Sequence, residues 1–160
     1  MDPLELETLN IPLLHLMGPV VPELLEQSGY VLPGVMSVKV MAKGFIARPG
    51  LNEFLISADD IGTPGHEQAW CYTRADTVLT LKGDGWRIAM SQICHMDLSR
   101  FKQGDWLMVS AAGINLWCIG LSNGLMLGCD PSLGTYLLET LTEIVSELNE
   151  THATYERSNL

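Results

Sequence analysis

Along residues 35–42 apolar side chains alternate with polar Ser37 and Lys39, the period of two that marks a half-buried strand. The same reading predicts strands over residues 52–57 and, more briefly, 45–47, with Gly44 and Pro49-Gly50 as the turns around them. Residues 58–69 carry Gly62, Pro64 and Gly65 and predict a loop. Within residues 70–82, Thr77-Val78-Leu79-Thr80-Leu81 alternates and is rich in β-branched residues, so it predicts a strand that ends at Gly83-Asp84-Gly85. Asp84 then stands where a helix cap belongs, and Trp86, Ala89, Met90, Ile93 and Cys94 recur at the spacing of one helical face. Three apolar segments follow, 106–112, 115–121 and 125–129, separated by Gly113 and by Asn123-Gly124, a strong hairpin signal. They predict an antiparallel meander. Asp130-Pro131 opens a last helix whose inner side is Leu133, Leu137, Leu141, Ile144 and Leu148, with Glu139, Glu143 and Glu147 on its solvated side.

The ends read differently. Pro3, Pro12, Pro19 and Pro22 exclude one continuous N-terminal helix, and Pro22 suits the first turn of a short helix over residues 23–27. Residues 1–34 are therefore expected to form an arm, residues 35–148 a single domain and residues 149–160 a polar tail. Strands, a helix, a meander and a second helix in this order define an α+β chain.

Composition narrows the function classes. With 160 residues the chain suffices for one well-formed core, and 47% apolar against 18% charged residues argues for a globular fold. The formal net charge of −10 repels a phosphate backbone, so nucleic acid is not an expected partner. Few charges on an apolar chain favour burial of part of its surface against another protein. Cys71, Cys94, Cys118 and Cys129 show no C-x-x-C spacing and are expected as reduced, buried thiols. The longest early apolar run, residues 11–21, is broken by His15 and Pro19 and has no basic lead; no membrane association and a cytoplasmic location are expected.

Candidate chemistry is sparse. Gly83-Asp84-Gly85 lacks the Lys-Ser/Thr pair of a phosphate loop and reads as a strand-to-helix turn. His66 with Cys71, or Cys94 with His95, lacks metal-ligand spacing, so no metal is expected. Asp59-Asp60 is the most suggestive carboxylate pair, weighed against a simple loop start. Trp106 and Trp117 suit a core, or stacking on a flat heterocycle if both face a cleft. No catalytic residue emerges.

The central wording is nonetheless distinctive. A strand reading TVLTLKG, a helix ending in Cys94-His95-Met96-Asp97-Leu98, a polar run ending in Gly104, Leu116-Trp117 on a later strand and Tyr136-Leu137 on a helix resemble the gamma subunit of heterotetrameric sarcosine oxidase. More distantly the chain is similar to the folate-binding aminomethyltransferases of the glycine cleavage system. Upstream, Pro49-Gly50 and Asn52-Glu53-Phe54-Leu55-Ile56 match that pattern too, so the resemblance covers roughly residues 35–148. His95 replaces a proline of the pattern, residues 58–69 are a short loop where related chains place a helix, and residues 1–34 have no counterpart.

The resemblance implies two intertwined β-α-β halves with antiparallel sheets and packed helices. It also implies a non-catalytic subunit supporting assembly of a flavin- and folate-linked amine oxidase or dehydrogenase, with larger flavoprotein subunits as partners and no cofactor held by this chain itself. One alternative is a free-standing tetrahydrofolate-binding one-carbon protein, with Trp106 or Trp117 stacking on the pterin and Arg74 meeting the glutamate tail. Another is a homo-oligomer that keeps the fold for assembly alone.

Overall fold

The computed structural model describes residues 2–59 and 65–158; Asp60, Gly62 and Pro64 of the predicted loop lie outside them. The strands are β1 (Glu5–Leu9), β2 (Leu13–Met17), β3 (Ser37–Val40), β4 (Phe45–Gly50), β5 (Glu53–Ser57), β6 (Trp70–Arg74), β7 (Thr77–Lys82), β8 (Trp106–Ala111), β9 (Ile114–Leu121) and β10 (Gly124–Cys129). The helices are α1 (Val21–Gln27), α2 (Trp86–Ser91) and α3 (Gly134–Ser158), the last preceded by a 3-10 turn over Pro131–Leu133. Among the described residues, ten strands fall into two five-stranded sheets, ordered β1-β7-β10-β9-β8 (sheet A) and β3-β4-β5-β2-β6 (sheet B). All registered strand pairs are antiparallel. The predicted α+β class with antiparallel sheets and packed helices is what the chain adopts.

Two compact units result, and the chain passes between them more than once. Residues 1–10, 76–103 and 108–160 make the first; residues 11–75 and 104–107 make the second. The segment expected as an arm supplies β1, paired with β7, and β2, seated between β5 and β6. Leu13 and Leu16 of β2 are buried, which fixes this strand in a sheet interior despite Pro12 just before it. Helix α3 likewise continues to Ser158, through most of the residues expected as a tail.

In the first unit, α3 lies against β1 and β7 while α2 lies against β10. The buried stripe Leu137, Leu141 and Ile144 is the apolar face predicted for α3. Gly134 sits so close to the Thr77 side chain that a Cβ would strike it, which lets the start of α3 press onto β7. Asp130 Oδ1 accepts the Ser132 N–H at 2.9 Å, so the cap ahead of α3 forms as predicted. Asp84 behaves otherwise: α2 starts from Gly85 without a side-chain cap, and Asp84 Oδ2 accepts the Asp2 N–H at 2.8 Å. The carboxylate ties down the N-terminal segment instead. Helix α2 also stops at Ser91, and Cys94 forms an isolated antiparallel bridge with Ala111.

In the second unit, Leu16, Ile46, Phe54 and Ile56 from sheet B bury against Val21 and Leu25 of α1. Full burial of such side chains contributes about 1.5–3 kcal/mol each. Pro22 stands in the first turn of α1, where its missing N–H costs nothing.

The β8–β9 hairpin turns through Ala112 at φ 52° and Gly113 at φ 80°, both left-handed. Two successive positive φ values are the signature of a type I′ turn, which suits Gly113 and penalises Ala112. The backbone is held all the same, with the Ala112 N–H donating to Ile93 O at 2.8 Å and Tyr136 Oη donating to Ala112 O at 2.7 Å. Ala112→Asn leaves those bonds intact and is expected to raise stability by about 0.5–1 kcal/mol, read as a higher urea midpoint at unchanged slope.

Candidate functional site

Trp117 lies on β9 opposite Gly128 of β10, is 2% exposed, and donates from Nε1 to Asp76 Oδ2 at 2.8 Å. The carboxylate partner lies just before β7, so three segments of the first unit converge on one indole. Trp106, 4% exposed, belongs to the second unit, where its backbone N–H donates to Met36 O at 3.2 Å. Arg74 ends β6, opposite Leu13 of β2. Within the second unit Arg74 therefore sits on one edge strand of sheet B, and Trp106 follows the short segment that bridges β3 at the other edge. Both indoles are core side chains here, and stacking a heterocycle on either requires exposing it first.

A different pair carries more polar chemistry, and the sequence had not singled it out. His15 Nε2 and Glu53 Oε1 are 2.7 Å apart, with the side chains 19% and 40% exposed. Pairing of Met17 with Glu53 and of His15 with Leu55 sets them diagonally across β2 and β5, within reach of each other. Tyr72 on β6 lies directly opposite His15, and Trp70 lies opposite Met17; both aromatic residues are about half exposed, at 51% and 50%. A histidine–carboxylate pair can hold or pass a proton, and the residue directly opposite this histidine on β6 is the phenol-bearing Tyr72. The only local signal was the alternation Leu-His-Leu in β2; the carboxylate lies 38 residues away.

The thiols are chemically quiet. All four cysteines are free, and Cys94, Cys118 and Cys129 are buried. Burial, reinforced by the nearby Cys94, pushes the Cys118 thiol up to about 12. Burial, then Asp76 and Asp130, raises Cys129, and burial raises Cys71. Raised in this way, Cys71, Cys118 and Cys129 carry less thiolate at neutral pH than a free cysteine does. Asp97 Oδ1 accepts the Ser99 N–H at 2.9 Å, which holds its exposed carboxyl below the ordinary range and marks it as a turn residue. Asp59 is exposed, and its neighbour Asp60 lies outside the described residues. No group of three or more His, Cys, Asp or Glu side chains converges as a metal site among the described residues.

One apolar cavity of about 280 Å³ opens in the first unit between Pro3, Leu4, Ile88, Leu148 and Tyr155. Its Asn149 spends both amide groups on the Leu4 backbone, at 2.9 and 3.0 Å. Neither Arg74 nor either buried tryptophan lines it. A pterin needs several directed donors and acceptors, and this wall offers mostly carbon.

The fold thus defines an α+β protein of two five-stranded antiparallel sheets, one built from β2 to β6 and the other from β1 together with β7 to β10. Its structure is similar to a chain of the heterotetrameric sarcosine oxidase from Corynebacterium sp. U-96, solved in complex with pyrrole 2-carboxylate, with a TM-score of 0.78 and 18% sequence identity. The match covers 91% of this chain and 85% of that one, so the two are of nearly equal length. No protein-family model matches the chain, and no curated protein matches it by sequence. No helix among the described residues is long and apolar enough to cross a membrane.

Proposed function

We propose that this chain is a non-catalytic subunit of a sarcosine-oxidase-like complex, an amine-oxidising assembly whose larger chains carry the flavin and the folate site. The observation that carries the reading is the near-complete match, in both directions, to a chain of a heterotetrameric enzyme. The central wording from TVLTLKG to Tyr136-Leu137 points independently to the gamma subunit of that family.

The chain, affinity-tagged and expressed in its native host, is expected to co-purify with a larger flavin-containing chain. The complex, but not the isolated chain, should bleach its flavin on adding an N-methyl amino acid such as sarcosine. A stable, soluble monomer that captures no flavoprotein would sink the reading.

The folate role proposed for Arg74, Trp106 and Trp117 has its own test. Both indoles are buried, so titration of the isolated chain with tetrahydrofolate is expected to leave the emission maximum of its tryptophans unmoved. A saturable spectral change lost in Arg74→Ala would instead establish folate binding by this chain.

A further inference from the structure

The outermost strands of the two sheets are β1, β8, β3 and β6, and three of them are closed off by the chain itself. Beside β3, the Val38 N–H donates to Gly104 O at 2.9 Å and Ser37 bridges Asp105. Beside β8, Cys94 bridges Ala111. β1 has α3 packed along it, and Asn149 of that helix engages both the N–H and the carbonyl of Leu4 just before the strand. Among the described residues, β6 has no strand or bridge on its far side and no helix packed along it as α3 is along β1.

An open edge is a template for another strand, which is why proteins protect such edges with proline, lysine or a bulge. β6 uses none of these. Its sequence is Trp-Cys-Tyr-Thr-Arg, its register with β2 is unbroken, and its single charge stands at the end. By the period of two, Trp70, Tyr72 and Arg74 share one face while Cys71 packs toward the core of the unit. Trp70 and Tyr72 are half-exposed, and adjacent large aromatics on an open strand are the residues that protein interfaces enrich.

The strand is its own complement. Two copies laid antiparallel about a two-fold axis through Tyr72 set Trp70 of each against Arg74 of the other, Cys71 against Thr73, and Tyr72 against itself. Directly opposite residues of an antiparallel pair project to the same face, so each guanidinium meets an indole and the two phenols lie side by side. A planar guanidinium stacks on an indole while its N–H groups stay engaged elsewhere. An axis through Arg74 would instead set guanidinium against guanidinium. The carboxylates near the strand are Glu67 ahead of it, Asp76 beyond it, and Glu53, two strands in on the same face and paired with His15. Glu67 and the second copy's Asp76 come to the same end of the ladder, where Asp76 accepts the Trp117 Nε1–H. Added salt screens that proximity and the net charge of −10 on each copy, so it should strengthen the pairing rather than weaken it.

We infer that β6 pairs with β6 of a second copy, antiparallel about Tyr72, and joins sheet B of the two copies into one continuous sheet. The inference goes beyond the subunit reading and stands without it. Its test is sedimentation of the full chain over a concentration series reaching on the order of 100 µM, in which the parent is expected to pass from the mass of one chain to that of two. Tyr72→Glu and Tyr72→Lys each place like charges on the axis and should weaken association by about tenfold or more. Tyr72 is half-exposed, so the melting temperatures of both variants should stay near that of the parent.

An equimolar mixture of the two variants should recover a dimer with one copy of each, because only a position that faces itself turns repulsion into attraction on mixing. A parent that remains a monomer throughout the series would overturn the inference. So would a dimer that either variant leaves intact, or a loss of dimer that mixing does not restore. Capture of a flavoprotein by the tagged chain tests the subunit reading separately, and neither result decides the other.

Discussion

Gly128→Val is expected to destabilise the chain by about 3 kcal/mol or more, although valine is the better strand former. Propensity alone predicts a gain, since glycine inside a strand forfeits backbone entropy and packs nothing. Packing overrules it. Gly128 pairs directly with Trp117 across β9 and β10, and a Cβ at position 128 would land inside the indole ring. The indole has nowhere to retreat, because it is 2% exposed and its Nε1 is committed to Asp76. Accommodating valine means either breaking that charge-assisted bond or shearing β9 from β10. The decisive measurement is a double-mutant cycle in urea. Combining Gly128→Val with Trp117→Leu should cost well below the sum of the two single changes, because each alone leaves either a clash or a void. Additive losses would show that the contact is not what constrains position 128.

That contact illustrates which parts of the structure were legible beforehand. Local chemistry was readable: Asn123-Gly124 marked the β9–β10 hairpin, Asp130-Pro131 the entry to α3, and the Leu137, Leu141, Ile144 stripe its buried face. The edge strands β1 and β6 were not, although β3 and β8 at the opposite edges were. β1 is Glu-Leu-Glu-Thr-Leu, too polar to look like a strand, and acquires its identity only by pairing with β7 some seventy positions later in the chain. β6, Trp-Cys-Tyr-Thr-Arg, has no clean alternation because only its Cys71 side packs on the core. Asp84 had every local mark of a helix cap, yet an amide 82 positions away took its carboxylate. The candidate sites failed to be legible for the same reason. His15 and Glu53, and Trp117 and Asp76, are 38 and 41 residues apart, and nothing within a window of one turn or one strand connects them.

Alkaline titration should produce a comparably large effect, with a sign set by Cys118. The thiol is raised from 9.0 to about 12 in the folded chain, first by burial and then by Cys94. Below pH 9 it is protonated in both folded and unfolded chains and contributes no pH dependence. Between about 9 and about 12 the unfolded chain releases this proton while the folded chain retains it, so the folded state binds more protons and stability falls as pH rises. Over the full window the loss from this one group amounts to about 4 kcal/mol. Lysines and tyrosines also titrate there, so the measurement that isolates Cys118 compares parent and Cys118→Ala by urea midpoint from pH 8 upward. The alanine variant should start lower, because a buried side chain has been trimmed, and then decline less steeply until the two curves converge. Parallel curves would mean that Cys118 ionises as readily in the folded chain as in the unfolded one. That result would require water at the centre of β9, where Leu116, Trp117, Cys118 and Ile119 are all at most 2% exposed.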